Sequence, residues 1–300
     1  MIESLPNLKY NIPLGPLTTY QIGGPADAFV AVHSSEELAD AVKAARADGV
    51  PWFLLGTGAN ILIGDGGWRG LVIHNQSNHV HVEGQRITAE SGVVFSNLIE
   101  LSAEHELGGL EHYAGIPSSV GGAIWQNLHF LAPNRKDTMF IASVVESARV
   151  LLANNQIVEV DVDWFNFGYD DSRLHHEEIV VLDVIFRLER STREEILDQA
   201  AKNLQWRRER HPNLIDFPSC GSVFKKIEGI GAGRLIDGAG LKGHRIGGVH
   251  VSEQHANFLV NPDGGTAKDV MDLVHHIQRT VKKNSGYDLE MEIRCVGEFL

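Results

Sequence analysis

Gly56-Thr57-Gly58-Ala59-Asn60 follows directly on the apolar run Trp52-Phe53-Leu54-Leu55, and this junction restricts the fold more than any other segment. A buried strand that ends in a glycine turn is a common place for a protein to cradle phosphate. Here the dinucleotide fingerprint G-x-G-x-x-G fails at its last glycine, where Ile61 stands. The helix that the fingerprint requires is also missing, because Gly64-Asp65-Gly66-Gly67 would break it. A Walker loop is excluded as well, since no Gly-Lys-Ser/Thr ending follows. Two readings stay open: a nest of backbone N–H groups that holds phosphate, or a plain tight turn.

The surrounding pattern gives the elements. An apolar strand at 29–32 leads to Ser34, an N-cap with Glu37 three residues on, and Leu38, Ala41, Val42 and Ala45 follow at helical spacing until Gly49. With strands at Trp52–Leu55 and 71–73, residues 1–75 read as a small α/β unit. The middle segment, 76–200, is strand-rich. Hairpins are expected around Glu83-Gly84 and around 153–156, a helix over 95–106, and one long strand over 179–188. With few helices, that middle segment reads as an α+β unit of its own. Ser191 with Glu194 opens a helix that runs to Arg210, and Thr266 with Asp269 opens another, striped by Val270, Leu273, Val274, Ile277 and Val281 and stopped at Gly286. A last strand over 289–296 would set Glu290, Glu292 and Arg294 on one face.

A second glycine segment supports the phosphate-holding reading. Residues 113–123, Tyr-Ala-Gly-Ile-Pro-Ser-Ser-Val-Gly-Gly-Ala, again combine glycines and hydroxyls without charge. Bare backbone at Gly121-Gly122 permits close approach of a planar or phosphorylated ligand. Two such loops predict a dinucleotide whose pyrophosphate is met by backbone dipoles. That suits a chain with 26 basic against 39 acidic residues and a net charge of −13, which disfavours nucleic-acid and anionic-membrane partners. Two cysteines give no disulfide framework, and no apolar run is long enough for a membrane span, so a cytoplasmic protein is expected. Fifteen histidines show no metal-ligand spacing, and no metal is expected.

Residues 18–27 (Thr-Thr-Tyr-Gln-Ile-Gly-Gly-Pro-Ala-Asp), the 56–62 turn and the 113–123 loop resemble the flavin-binding segments of the UDP-N-acetylenolpyruvoylglucosamine reductases, the MurB family of peptidoglycan synthesis. Residues 218–225 resemble the family's active-site serine motif, and 240–243, 246–248 and 251–258 its substrate-domain signature; Leu289-Glu290-Met291-Glu292-Ile293-Arg294 completes the series in the family's order. No extra insertion separates the substrate-domain segments, as in the shorter subtype. The resemblance implies an α+β chain: a two-subdomain FAD-binding fold of the PCMH/VAO type, borders near 75 and 200, plus a third, substrate-binding domain to which the last strand does not necessarily belong, since 288–297 can return to the second subdomain. It implies FAD held by Tyr20, Gly56, Thr57, Gly58, Ala59, Asn60, Ile61, Leu62, Gly115, Ile116, Pro117, Ser119, Gly121, Gly122 and Ala123. Electrons would come from NADPH. The substrate would be a UDP-sugar carrying an enolpyruvyl group, contacted by Lys225, Gln254, His255 and Asn257, and the protein a monomer or weak homo-oligomer.

The resemblance makes Ser222 the proton donor and Glu292 the carboxylate that helps polarise the substrate, with Glu290 as its alternative. One position departs from the family. Its usual Gly-Tyr-Arg-Asp-Ser becomes Gly168-Tyr169-Asp170-Asp171-Ser172-Arg173, which reverses the charge at 170. Arg173 is the expected replacement cation and the third catalytic candidate, and His175-His176 in cationic form is the other. If neither serves, the reaction has changed. An oxidase or dehydrogenase of another sugar or alcohol on the same scaffold is therefore the alternative enzyme, and a flavin-binding homologue without catalysis the third reading. Related flavoproteins sometimes link flavin to histidine; His112 and His129 are the positions such a link would use, and nothing in the sequence supports one.

Overall fold

The computed structural model describes residues 1–227 and 229–300. Two compact units interleave along the chain: Met1–Leu8, Val30–Thr57 and Ile73–Arg207 form the first, and Lys9–Phe29, Gly58–Val72 and Arg208–Leu300 the second. The sequence leads one to expect three consecutive segments instead. Two of the crossings fall inside continuous strands, Pro25–Val32 and Trp68–Asn75, where composition carries no border signal.

In the first unit, helix α1 (Ser35–Ala47) begins where Ser34 accepts from Glu37 N–H; the Glu37 carboxylate reaches back to His33 N–H at 2.7 Å. Leu38, Ala41, Val42 and Ala45 form its buried stripe. The core is an antiparallel sheet of five strands in the order Ile157–Asp161, Val145–Leu151, Val180–Arg187, Arg86–Glu90, Val80–Glu83, so both expected hairpins are present. Helix α2 covers Phe95–Glu104, shorter than its apolar pattern predicts. Its continuation is taken by Leu107–Gly108, which pairs as a strand with Glu189–Arg190, because Glu106 turns the chain at φ +55°. Helix α3 (Val120–Trp125) starts inside the second glycine segment, capped by Ser119. Helix α4 (Arg193–Arg210) is capped one residue later than expected: Thr192 and Glu195, not Ser191 and Glu194, exchange the capping hydrogen bonds.

In the second unit, helix α5 (Ala232–Gly238) precedes a three-stranded antiparallel sheet, Arg245–Ile246, Val249–Val251 and Leu259–Val260. Helix α6 (Ala267–Ser285) has the predicted capping box at Thr266 and Asp269 and ends at Gly286, φ +77°. Its five-residue stripe, Val270 to Val281, is wholly buried; burial of five aliphatic side chains contributes on the order of 10 kcal/mol before chain entropy is subtracted. Asp65, in the glycine turn that rules out a dinucleotide helix, caps α6 instead by accepting from Ala267 and Lys268 N–H, both at 2.9 Å. The last strand is only Arg294–Val296, paired in parallel with Ile61–Ile63. The expected 289–296 strand thus begins late, leaving Glu290 and Glu292 outside it, and Met291 makes a single bridge to Phe224. No helix among the described residues is long and apolar enough to cross a membrane.

Candidate active site

The two glycine segments meet inside the first unit. Thr57 Oγ1 donates to Pro117 O at 3.0 Å, and a Cβ on Gly56 would stand 2.7 Å from Ser119 Oγ, which would have to move to admit one. The neighbouring turn is fixed in the second unit: Thr19 N–H donates to Gly58 O at 3.1 Å, and Gly58 adopts φ +64° with Thr18 Cα 2.8 Å from where a Cβ would be. Among the described residues, the N–H groups of Thr57, Ala59 and Asn60 donate to no protein acceptor. Orphan donors in a turn of this kind are what an anion-holding nest requires.

The second segment spends its amides otherwise. Val120 N–H donates to Val93 O, Gly121 N–H to Ser91 O, Gly122 N–H to Ser119 Oγ and Ala123 N–H to Ser119 O. Residues 120–123 are therefore held as a wall, and the expectation that their amides meet pyrophosphate is not what the bonding provides. Tyr20, Ile61 and Leu62 are likewise buried, with Tyr20 and Leu62 part of the second unit's apolar core. Burial keeps the Tyr20 phenol far above its ordinary range, and its OH has no partner among the described residues.

A cation that the sequence reading passed over lies beside Gly115. Arg207 packs its Cδ 3.0 Å from the position of a Gly115 Cβ and its guanidinium over the Phe130 ring, 5.6 Å from the centroid. Among the described residues no carboxylate lies within ion-pair distance of it, and burial lowers its pKa to about 10. The signal was present at helical spacing: Ile196, Ala200, Asn203 and Arg207 share one face of α4, and an arginine closing an otherwise inward face is out of place there. Within the first unit, the unspent Thr57 N–H and the desolvated Arg207 are groups that suit the anionic half of an FAD.

In the second unit the expected catalytic pair is brought together by backbone. Glu292 N–H donates to Val223 O at 2.8 Å, one residue from Ser222, and Ser222 itself bridges Phe258. Asn257 fastens this segment: its O accepts from Val223 N–H, its Oδ1 from Phe224 N–H at 3.0 Å, and its Nδ2 donates to Phe224 O at 2.8 Å. Cys220, buried beside them, has its thiol pushed up by desolvation, with the charges of Cys295 and Glu292 adding to the effect. Glu290 is mostly exposed and paired with Lys225, so both are already engaged. His255 accepts from Asn257 N–H at 3.2 Å, and burial lowers its pKa; Gln254 donates to Arg208 O.

Arg173 is committed elsewhere in the first unit, 4.5 Å over the Trp164 ring and 3.6 Å from Glu177. His175 and His176 both face Asp171, whose pKa is lowered chiefly by the His176 hydrogen bond and further by the charge of both rings. Asp170 is buried at φ +54°.

The profile of the FAD binding domain matches residues 26–161, which with the relatives below puts the chain in the class of FAD-dependent oxidoreductases. A second profile, the C-terminal domain of UDP-N-acetylenolpyruvoylglucosamine reductase, matches residues 212–296. The UDP-N-acetylenolpyruvoylglucosamine reductase of Caldanaerobacter subterraneus is 40% identical over 97% of this chain and 94% of its own. That of Streptococcus uberis is 40% identical over 99% of this chain and 97% of its own. Among solved structures, the reductase from Thermus caldophilus superposes with a TM-score of 0.78 at 32% identity, covering 97% of this chain and 98% of that one. The chain belongs to the UDP-N-acetylenolpyruvoylglucosamine reductase family.

Proposed function

We propose that the protein uses NADPH to reduce the enolpyruvyl group of UDP-N-acetylglucosamine enolpyruvate, giving UDP-N-acetylmuramate for peptidoglycan synthesis. The observation that carries the reading is the backbone junction of the Ser222 and Glu292 segments, Glu292 N–H to Val223 O at 2.8 Å, buttressed by buried Asn257. What bound FAD supplies is the passage of two electrons from NADPH to the enolpyruvyl double bond. In the first unit, Thr57 would hold it with its backbone, Gly115, Ile116, Pro117, Ser119, Gly121, Gly122 and Ala123 would wall it, and Arg207 would offset its charge.

Ser222 gives its proton to the carbon that becomes the lactyl centre, and Glu292, in its protonated form, donates a hydrogen bond where negative charge develops on the enolate. Serine is a weak acid, so the neighbouring groups must be fixed in place, and the Asn257 hydrogen bonds provide that rigidity. Lys225, Gln254 and His255 line the approach of the UDP-sugar. On this reading the protein acts in the cytoplasm and serves cell shape and division through wall supply.

Stopped-flow spectroscopy of Ser222→Ala tests this reading. Flavin bleaching by NADPH is expected to persist, and its reoxidation by the UDP-sugar to be lost. Reoxidation at the wild-type rate would remove Ser222 from the reaction. Oxidation of other sugars or alcohols without any turnover of the enolpyruvyl substrate would favour the oxidase alternative.

A further inference from the structure

In the second unit, the segment that fastens Ser222 is itself fastened by a histidine. Asn257 N–H donates to His255 Nδ1 at 3.2 Å, a bond between residues two apart that closes a short turn. Ser252 Oγ accepts from His255 N–H at 3.3 Å and His255 O accepts from Phe258 N–H at 2.9 Å, so the backbone that carries the ring is pinned. The ring is enclosed as well. His211 and Phe258 lie edge-on to it, with centroids at 5.3 and 4.9 Å, and Gly233 of α5 faces its Cε1, where a Cβ would already be in contact at 3.4 Å.

A backbone amide can only donate, and an imidazole nitrogen that accepts carries no proton. The bond from Asn257 therefore selects one form of His255, neutral and with its proton on Nε2. Protonation at Nδ1 would set one N–H against another and turn the contact from attraction to repulsion. The surroundings act in the same direction. Burial, and after it the charge of Lys242, lower the His255 pKa; Lys242 is itself 3.1 Å from Asp237. His211 is the titratable side chain packed on the ring, while Ser252, Phe258 and Gly233 bring no charge to it.

What this turn holds in place is the clamp on the serine segment. Asn257 O accepts from Val223 N–H at 2.9 Å, and its side chain makes both bonds to Phe224. Val223 O accepts in turn from Glu292 N–H, and Ser222, the residue before Val223, bridges Phe258. A cationic His255 would push on the Asn257 amide, and the displacement would reach Ser222 and Glu292 through Val223.

We infer that His255 is a positioning residue: in its neutral form it holds the Asn257 turn, and through it Ser222, in the geometry for proton delivery. Its protonation releases that hold. The kinetic half of the inference rests on the reductase reading above; the bond from amide to imidazole does not.

Two measurements test it on the FAD-loaded protein. Nitrogen NMR of the histidine rings, assigned with His255→Asn, is expected to show a bare Nδ1 and a protonated Nε2 at neutral pH, with the ring charging only below the ordinary value of 6.5. Stopped-flow reoxidation of the flavin at saturating UDP-sugar, from about pH 8 to about pH 5, is expected to slow as pH falls through the His255 value. His255→Leu, which offers the amide no acceptor, is expected to lose about tenfold or more in that limiting rate at every pH. His255→Asn supplies an acceptor for the N–H two residues on but no proton to gain. It is expected to recover most of what His255→Leu loses and to show no slowing with pH. A proton on Nδ1 at neutral pH would overturn the bond. A limiting rate in His255→Leu equal to that of the wild type, with only KM raised, would overturn the positioning role and make His255 a substrate contact. Slowing at low pH that persists in His255→Asn would overturn the effect of its protonation. No reoxidation by the UDP-sugar in the wild type, with Nδ1 bare, would refute the reductase reading and the kinetic half with it while leaving the bond intact.

Discussion

Asn257→Ala should damage both stability and turnover, by amounts the geometry fixes. The side chain is buried and makes two hydrogen bonds to one residue, Phe224, accepting from its N–H and donating to its C=O. Phe224 is 1% exposed, so water cannot replace either partner. An orphaned buried backbone group costs about 1–3 kcal/mol, and two at one residue give roughly 2–6 kcal/mol. Ser222 lies two residues away on the same segment. Misplacement of a reacting group by an ångström is worth about a hundredfold in rate, so flavin reoxidation by substrate should fall by that order. Urea unfolding measures the first quantity and stopped-flow reoxidation the second. Asn257→Asp, which keeps the acceptor but sets an oxygen against Phe224 O, should lose nearly as much stability. A loss below about 1 kcal/mol, with reoxidation unchanged and KM raised many-fold, would refute the clamp and make Asn257 a substrate contact.

Arg207→Met should raise the Tm of the cofactor-free protein by relieving a desolvated charge, by about 1 kcal/mol or more, and weaken FAD binding at least about tenfold; a lower Tm with unchanged FAD affinity would contradict its role. Gly56→Ala should cost about 1–3 kcal/mol by overpacking against Ser119 Oγ, and the cost should shrink in a Ser119→Ala background, as read by a double-mutant cycle. Burial, the larger cause in each, lowers the imidazoles of His74 and His255 below their ordinary value of 6.5, with His33 adding at His74 and Lys242 at His255. Because the folded-state values are the lower ones, the unfolded chain takes up protons first as pH falls. The stability they contribute is full above the unfolded value and is lost as pH falls through the folded ones. Urea unfolding across that range should show a shallower pH slope in His74→Gln and in His255→Gln.

Punctuation was legible residue by residue. Ser34, Thr266, Gly49 and Gly286 bound their helices as read, because caps act over three or four residues and need no partner from elsewhere. The glycine segments were legible for the same reason: Gly58 tolerates no side chain where it sits, and one at Gly56 would displace Ser119 Oγ. The serine motif and the Glu292 segment were found in order, and the chain's family with them. Two misreadings were local competitions. Thr192 outbid Ser191 for the α4 cap, and Leu107–Gly108 left α2 to pair with Glu189–Arg190.

By itself the sequence determined what its short-range rules could carry: the elements, the caps, the unhelical glycine turn and the family to which the chain belongs. Only the tertiary structure decided that Asn257 is bound to Phe224, that Arg207 stands uncompensated beside Gly115, and that Asp170 meets His129 rather than Arg173. It also decided that residues 61–63 find their partner at 294–296. Such contacts join positions tens to hundreds of residues apart. Their choice depends on loop closure, burial and the unmet charge of a particular neighbour, none of which is written in local spacing.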